Sequence, residues 1–464
     1  MSEPRRFLRT AGSHIVDDSS RTVALRGTCL GGCMNMENFI AGFPANEAAM
    51  RQALAQVLGP EKAGLLLEQF VEDFFTAEDA AFLESLGLNL LRLPLNYHHF
   101  EDDMQPFIIE EDSFRDLDRV VRLCADHHIY TIIDLHALPG YQNQDWHCDN
   151  PTHKAFFWQH KHFQDRAVHL WEAIADRYKN HPWVAGYDLM NEPGDPTEKV
   201  IVPFYERLIR AIRDVDSNHI LFLEGNRYCN DFHMFGDPWP NTAYSVHAYV
   251  EPGGIDGGPY PGVSKGKRYD RRVLEEEFEA KCAFMLERGV PVWVGEFGPV
   301  YTGDPTVDAM RFRLLEDQLQ IFADYGASWA IWTYKDIGLQ GLVYTAPECA
   351  WLQRLRPVLE KKARLGVDTW GSRETLIQDI IQPLERTFAE EFPGYTPFPF
   401  GARFQIERLV RGILLAEPLL PEFADCFRNL EEEAFGNLTT SFRLENCIRR
   451  SELLRILSVA ACRP

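Results

Sequence analysis

Residues 291–299, PVWVGEFGP, are the stretch of sequence that decides the fold. A run of apolar and β-branched residues leads into Gly295, and Glu296 follows shortly before a Gly-Pro turn. An apolar run of this length, closed by turn residues, is typical of a strand that is buried on both faces. We therefore predict that Glu296 is a carboxylate at the exit of a buried parallel strand.

A second stretch, residues 184–193, has the same form. Its sequence, VAGYDLMNEP, is an apolar run that ends in Asn191 and Glu192. Six further runs alternate with helical patterns, at residues 23–30, 88–95, 130–135, 219–223, 243–247 and 327–332. Eight strands that alternate with helices predict an α/β fold, the parallel (β/α)₈ TIM barrel.

Two regions depart from this alternation. Residues 47–72 predict two amphipathic helices broken at Gly59-Pro60, which form an N-terminal helical insertion in the barrel. Beyond about residue 360, the pattern predicts helices at 372–391, 403–415, 420–434 and 442–459. We therefore divide the chain into a barrel, residues 1–360, and an α-helical C-terminal extension, residues 361–464. This extension is expected to pack on the barrel or to form a homodimer interface.

The charge balance limits the partners of the protein. The 464 residues include 47 basic and 69 acidic residues, for a net charge of −22, and residues 1–360 hold 33 of the basic and 54 of the acidic ones. Such an acidic body repels phosphate backbones and anionic lipid headgroups. We expect a neutral substrate, with no nucleic acid and no membrane among the partners.

The N-terminal segment and the cysteines predict the compartment. The first twenty residues lack an apolar run long enough for a signal peptide, and nowhere do about 18 apolar residues follow one another. The ten cysteines are scattered and show no secreted framework, so reduced thiols are expected. These features predict a cytoplasmic protein without a membrane span, unless a leader has been removed.

Polar and aromatic residues at the predicted strand exits are the candidate site, because a (β/α)₈ barrel carries its active site there. They are Arg92, His136, Asn191, Glu192, His247, Tyr249, Glu296 and Trp332. Strands four and seven lie on roughly opposite walls, so Glu192 and Glu296 should point into one pocket. Two facing carboxylates without a metal cluster are the groups needed to cleave a glycosidic bond. One, protonated through a raised pKa, would act as the acid, and the other would attack the anomeric carbon or activate water. We predict no metal and no cofactor.

The remaining candidates would support these two carboxylates or bind the substrate. Arg92 and Tyr249 would hold the ionised carboxylate, and Asn191 would bind a sugar hydroxyl. His136 and His247 lack an HxH or HxxxH companion, which favours hydrogen bonding over metal ligation. Trp332 would form a sugar-stacking floor. Trp146, Trp158 and Tyr141 are candidates either for sugar subsites or for plain packing, and Glu224 is interpreted as structural rather than as a third carboxylate.

Six short motifs carry a resemblance to a known family. They are LRLP around Arg92, DLHALPG around His136, LMNEP around Glu192, HAY around His247, GEFG around Glu296 and IWTYKD around Trp332. In this order, over residues 22–360, they resemble glycoside hydrolase family 5, the cellulase family within the (β/α)₈ retaining-glycosidase clan. The resemblance implies a retaining double displacement, with Glu192 as acid/base and Glu296 as nucleophile. It also implies that the other six strand-exit residues surround the subsite of the sugar being cleaved.

Departures from the usual family pattern suggest the substrate. The insertion, two long loops and the helical tail are not part of the usual core, and LPGYQNQDW resembles the exo-acting β-glucanase branch. These features favour an exo-acting β-glucosidase or exo-β-glucanase that acts on short oligosaccharides or small glycosides, and on a glucoside rather than a mannoside. The alternatives are an endo-β-glucanase, a β-mannosidase or mannanase, and a non-catalytic carbohydrate-binding barrel.

Overall fold

Eight parallel strands close into a barrel, and their order around it follows the chain. They are β1 (Arg26–Cys29), β2 (Leu90–Asn96), β3 (Tyr130–Ala137), β4 (Val184–Asp188), β5 (Ile220–Glu224), β6 (Thr242–His247), β7 (Val292–Glu296) and β8 (Ser328–Ile331). This computed structural model describes residues 7–463. The signal-peptide expectation rests partly on residues 1–6, which lie outside the described residues. The predicted (β/α)₈ barrel is confirmed.

Helices alternate with the strands over most of the barrel. They are Glu47–Leu58, Pro60–Phe74 and Ala77–Ser85 before β2, Arg115–Asp126 before β3, Lys161–Tyr178 before β4, Ile201–Val215 before β5, Arg271–Arg288 before β7, Pro305–Asp324 before β8, and Ala350–Arg364 after it. The predicted break of the helical insertion lies at Gly59, which has φ 84° and separates the first two helices. None of the described helices is long and apolar enough to cross a membrane.

Buried charges lie at neighbouring positions on three adjacent strands. Arg92 is on β2, Asp134 on β3 and Asp188 on β4, and Asp134 is paired in register with Asp188. All three side chains are fully buried. Because an unpaired buried charge is strongly unfavourable, these residues must neutralise one another or carry a function.

The C-terminal extension is mostly helical, as predicted, but its last part differs. Its helices are Gln378–Glu391, Ala402–Glu407, Leu420–Asp425, Phe435–Thr439 and Ser451–Ala461, and the second continues as a π-helix, Arg408–Leu414. Asn429, at φ 58°, departs from helical geometry, so the predicted helix 420–434 is shorter. Within the predicted helix 442–459, the strand Cys447–Arg449 pairs with the edge of Val343–Thr345. This tertiary pairing satisfies backbone groups that the edge would otherwise leave open.

The extension and the barrel share one hydrophobic core. Phe442 packs on Phe70 of the insertion with ring centroids 4.8 Å apart, and Phe427 packs on Trp351 at 5.8 Å. The Lys335 ammonium, just after β8, donates to the Phe442 carbonyl at 2.6 Å. The boundary suggested at residue 360 falls inside the helix Ala350–Arg364, so the chain enters the extension without a flexible linker.

Candidate active site

Two glutamates face each other at the carboxyl end of the barrel. Glu296 is the last residue of β7, and Glu192 follows the end of β4. Glu192 has φ 47°, which is unfavourable for a residue with a side chain, and its backbone N–H donates to the Glu224 carboxylate. One oxygen of Glu192 lies within 4.8 Å of one oxygen of Glu296. This approach of single oxygens favours the short carboxyl spacing of retaining enzymes, about 5–5.5 Å, over the roughly 6.5–9.5 Å of inverting ones.

Two donors hold the Glu296 carboxylate. Arg92 Nη1 donates to one oxygen at 2.7 Å, and the Tyr249 hydroxyl donates to the other at 3.0 Å. A charge-assisted bond of this kind stabilises the ionised carboxylate and fixes its direction. Burial, together with the charges of Glu296 and Glu192, raises the pKa of Tyr249 well above its ordinary value. Tyr249 therefore remains a hydrogen-bond donor.

The Arg92 guanidinium also binds a cluster of buried acidic groups. Its Nε donates to Asp188 at 3.1 Å, and its Nη2 lies 3.1 Å from Asp134 and 3.2 Å from Glu224. Burial, together with the charge of Glu224, raises the pKa of Asp188 well above its ordinary value. Burial also acts to raise the pKa of Glu224, but the charges of His247 and Arg92 outweigh it and lower that pKa to about 2. Glu224 is therefore ionised, whereas burial and the neighbouring Glu224 charge disfavour the ionised form of Asp188.

Two histidines contact the Glu192 carboxylate. His247 Nδ1 lies 2.7 Å from one oxygen, and His147 Nε2 lies 3.2 Å from the other. The expectation of a raised pKa for the acid is wrong: burial acts in that direction, but these imidazoles, His247 more than His147, outweigh it and lower the pKa of Glu192. Burial would lower the pKa of His247, but the charges of Glu296 and Glu224 help to raise it well above its ordinary value. The lowered pKa of Glu192 and the raised pKa of His247 favour a carboxylate beside a protonated imidazole.

His136 and Trp332 form the opposite part of the pocket floor. Their rings stack with centroids 5.5 Å apart and planes 15° from parallel. His136 Nδ1 lies 2.7 Å from the Asp134 carboxylate, and its Nε2 lies 3.3 Å from the side-chain amide nitrogen of Asn191. The Asn191 carbonyl oxygen in turn accepts from Arg92 at 2.8 Å. The floor is therefore held rigid by contacts that cross the barrel.

The structure brings the nine predicted site residues together. Six of them line a cavity of about 210 Å³: His136, Trp146, Glu192, Tyr249, Glu296 and Trp332. Arg92, Asn191 and His247 lie beneath the cavity and are almost completely buried. Trp158 is buried instead, and its indole N–H donates to the Gln142 carbonyl at 2.7 Å, which assigns it to packing.

Several residues of the site were not singled out from the sequence. Among the cavity-lining residues these are Glu37, Phe39, Asp145, His147, Tyr228, Thr369, Trp370, Phe400, Phe404 and Arg408. Asp134 and Asp188 offered a signal, since a charged residue inside a buried apolar run is unusual. Glu37 offered only its position after β1. The last five come from the extension, and no local pattern indicates that this segment returns to the pocket.

Within residues 7–463, two groups of side chains have ligand atoms close enough together to bind one metal ion. They are Glu192 with His247 and Glu296, and Glu224 with Cys229 and His247. In the first group Arg92 already places a cation 2.7 Å from Glu296, and in the second the Cys229 thiol donates to Glu224 at 2.8 Å. These internal partners satisfy the clusters, and cleavage by two carboxylates requires no metal.

Comparisons with known proteins identify proteins of similar sequence and similar fold. The family model described as Cellulase (glycosyl hydrolase family 5) matches residues 59–338. A beta-xylosidase of Phanerodontia chrysosporium is 44% identical over 467 aligned residues, which cover 97% of this chain and 98% of that protein. A probable glucan 1,3-beta-glucosidase A of Emericella nidulans is 29% identical over 370 residues, or 70% and 88% of the two chains. An endogalactoceramidase structure has a similar fold, with a TM-score of 0.52 at 20% identity over 71% of this chain and 75% of that one.

Proposed function

This chain belongs to glycosyl hydrolase family 5, a retaining β-glycosidase family, and we propose that it removes a terminal β-linked sugar from small glycosides. One observation carries the proposal: an oxygen of Glu192 lies within 4.8 Å of an oxygen of Glu296 at the floor of the cavity. This spacing lets one carboxylate reach the anomeric carbon while the other reaches the glycosidic oxygen.

In the first step Glu296 is the nucleophile. Its carboxylate, directed by Arg92 and Tyr249, forms a bond to the anomeric carbon while the bond from that carbon to the glycosidic oxygen breaks. Glu192 gives its proton to the departing oxygen, so that the aglycone leaves as a neutral alcohol. The product of this step is a glycosyl ester of Glu296 with inverted configuration.

In the second step water replaces the enzyme. Glu192, now ionised, takes a proton from a water molecule, whose oxygen bonds to the anomeric carbon as the ester bond to Glu296 breaks. The sugar leaves with its original β configuration. The two inversions together give retention.

His247 can supply the proton that Glu192 needs for the first step. His247 Nδ1 is 2.7 Å from the Glu192 carboxylate, and the raised pKa of His247 favours a proton on its imidazole. Transfer across this hydrogen bond gives a neutral His247 and the acid form of Glu192. A neutral glycoside that displaces water from the pocket favours this transfer, because it disfavours separated charges.

The shape of the pocket supports exo action. Phe39, in the segment after β1, and Trp370, in the extension, lie with ring centroids 6.2 Å apart and join across one side of the cavity. Trp370 also packs edge-on against Tyr249 at 5.2 Å. A groove for internal cleavage must be open at both ends, whereas these contacts close one side and leave room for a chain end.

The sugar is inferred from a relative and from the glucoside expectation. The Phanerodontia relative, at 44% identity, is a beta-xylosidase. Xylose and glucose have the same configuration at C2, C3 and C4 and differ by the hydroxymethyl group on C5. We therefore assign the glycone to the gluco configuration, with the β-xyloside as the first substrate to test and the β-glucoside as the second.

A panel of glycosides tests this assignment. Aryl β-xyloside, β-glucoside, β-mannoside and β-galactoside are compared at equal concentration with the corresponding disaccharides and a polymeric β-glucan. We expect turnover of a gluco-configured aryl glycoside, and proton NMR should show the β anomer of the free sugar first. Internal cleavage of the polymer with no aryl glycoside turned over would contradict exo action, preference for the mannoside would contradict the gluco assignment, and an α anomer formed first would contradict retention.

A further inference from the structure

Four aromatic side chains form a wall on one side of the catalytic cavity. This aromatic wall consists of Trp146 and Tyr228 from the barrel loops and Phe400 and Phe404 from the C-terminal extension. Phe400 lies 5.6 Å from Tyr228 and 5.2 Å from Phe404, measured between ring centroids. The Arg408 guanidinium lies over the rings of Trp146 and Phe404 and links them. The wall is thus one continuous surface built jointly by barrel and extension.

The aromatic wall stands on the side from which the aglycone leaves. Glu192 must lie within hydrogen-bond reach of the glycosidic oxygen, so the aglycone begins next to its carboxylate. His147 Nε2 contacts that carboxylate at 3.2 Å, and the His147 ring packs edge-on against Tyr228 with centroids 6.1 Å apart. A group attached to the protonated oxygen therefore passes His147 and meets the aromatic wall.

The Tyr228 hydroxyl of the wall and the Arg408 Nε beside it already have partners. The Tyr228 hydroxyl accepts from the Gln144 N–H at 3.1 Å and donates to the Gln144 side chain at 3.3 Å. Arg408 Nε donates to Asp145 at 2.8 Å. A second sugar stacked on these rings through its C–H face would find few free polar groups for the hydroxyls at its rim, and each hydroxyl without a partner is unfavourable. The wall therefore suits an apolar group better than a sugar.

The glycone side of the cavity has the opposite character. Glu37 is buried there, and its Oε1 has no hydrogen-bond partner among the residues that the structure describes. By contrast, Phe400 is 51% exposed at the mouth and presents an apolar ring to solvent. A ligand that covered this ring would remove apolar surface from water on both partners, which favours binding.

We propose that the C-terminal extension forms the aglycone subsite, and that this subsite selects an apolar aglycone, aromatic or alkyl, over a sugar. The proposal rests on the proposed function and adds the leaving-group class to it. Phe400 and Phe404 are then specificity-determining residues contributed by a segment outside the barrel. They contact the aglycone and take no part in proton transfer or nucleophilic attack.

Paired substrates separate aglycone binding from chemistry. Benzyl and methyl β-glycosides of the same sugar have leaving groups of similar basicity and differ by one phenyl group. Burial of that group is expected to raise kcat/KM for the benzyl compound about 10- to 100-fold over the methyl compound. The β-glycosyl fluoride, which carries no aglycone, reports the chemistry at the glycone alone.

Two matched variants test the wall. In Phe400→Ala the ratio of benzyl to methyl kcat/KM should fall by about 3- to 10-fold, with hydrolysis of the glycosyl fluoride unchanged. Phe392→Ala is the control, because Phe392 belongs to the same extension, is 57% exposed and lies away from the cavity lining. Its ratio should equal that of the wild type.

Each other outcome overturns a defined part of the proposal. An unchanged ratio of benzyl to methyl kcat/KM in Phe400→Ala would show that the Phe400 ring does not contact the aglycone. If a disaccharide lost as much kcat/KM as the benzyl glycoside in Phe400→Ala, the wall would be a sugar subsite and the apolar assignment would fall. Wild-type protein that left every β-glycoside and the glycosyl fluoride intact would instead contradict the proposed function itself.

Discussion

The barrel floor and the aromatic wall bound the same cavity but are built on different principles. The floor is a network of buried charges centred on Arg92, which contacts Glu296, Asp188 and Glu224 within 3.2 Å. The wall consists of rings, and Phe400 at its edge is half exposed. The floor comes from strand ends that the barrel holds rigid, whereas much of the wall comes from a segment far away in sequence.

The floor should therefore determine the catalytic steps, and the wall should determine which aglycone is preferred. Every charged group of the floor is held by at least one other, so a change there alters charge, proton position and geometry at once. A change in the wall alters apolar contact area only. Substitutions in the floor should therefore act mainly on kcat, and substitutions in the wall mainly on kcat/KM for particular aglycones.

The largest effect is expected for Glu296→Gln. The amide keeps the shape and can still accept from Arg92, but it cannot form the glycosyl ester, so kcat should fall about 10⁴-fold or more. Steady-state kinetics with an aryl glycoside measure the loss, and calorimetric titration with the product sugar measures retained binding. A loss of kcat smaller than tenfold would show that Glu296 is not the nucleophile.

The second-largest effect is expected for Glu192→Ala, and the loss of kcat/KM should depend on the leaving group. In Glu192→Ala the proton donor is lost, and kcat/KM for an alkyl glycoside should fall about 10²- to 10⁴-fold. A dinitrophenyl glycoside, whose leaving group needs no proton, should lose far less kcat/KM in the same variant. Equal losses on both substrates would show that Glu192 is not the acid.

Glu224 and Asp188 allow a matched test of the charge assignment in the floor. Glu224 is ionised and accepts from the Glu192 N–H, so Glu224→Gln should lower kcat about 10- to 100-fold. The pKa of Asp188 is raised, which favours its neutral form, so Asp188→Asn keeps the shape and should change kcat less than about threefold. Steady-state kinetics measure both effects. A larger loss of kcat in Asp188→Asn than in Glu224→Gln would contradict the charge assignment.

The low pKa of Glu224 predicts that the stability of the folded protein depends on pH. The pKa of Glu224 is about 2 in the folded protein against an ordinary 4.5, so the unfolded chain binds more protons between these values. The stabilisation from Glu224 is present above pH 4.5 and is lost as the pH falls toward 2. Urea unfolding at pH 5 and pH 3 should show a smaller loss of stability in Glu224→Gln than in the wild type. Equal losses would contradict the low pKa.

The smallest effect is expected where the extension supports the wall. A Cβ at Gly412 would lie 2.7 Å from the Trp146 ring, so Gly412→Ala must displace this ring. We expect KM for the benzyl glycoside to rise about two- to fivefold, with the methyl glycoside unchanged. Gly394→Ala is the control, because a Cβ there meets nothing within 4 Å. Equal changes for both substrates would mean that Trp146 acts on the floor as well.

The floor was largely predictable from the sequence, and the wall was not. Glu192 and Glu296 follow buried apolar runs, and barrel geometry brings such strand ends together. Asp188 lay inside one of these runs and could have been found in the same way. Phe400 and Phe404 reach the cavity only because residues 361–464 fold back on the barrel, and this docking depends on scattered core contacts such as that of Phe442 with Phe70.

Local structure in the extension was also only partly predictable. An apolar pattern at 442–459 predicts one helix, yet Cys447–Arg449 forms a strand because Val343–Thr345 offers an open edge to pair with. Tertiary pairing overrides helix preference at such a site. The lowered pKa of Glu192 was missed because its main cause is the contact with His247, and the sequence does not show which carboxylate that imidazole meets; His147, from a long loop, adds to the effect.

Covalent trapping tests the central claim most directly. A 2-deoxy-2-fluoro β-glycoside of the preferred sugar, with an activated leaving group, should slow both steps and leave the fluorosugar attached to the enzyme. Intact-mass and peptide mass spectrometry should then find one label per chain, on Glu296. A label on Glu192 or Glu224, or turnover through Glu296→Gln at the wild-type rate, would contradict the account.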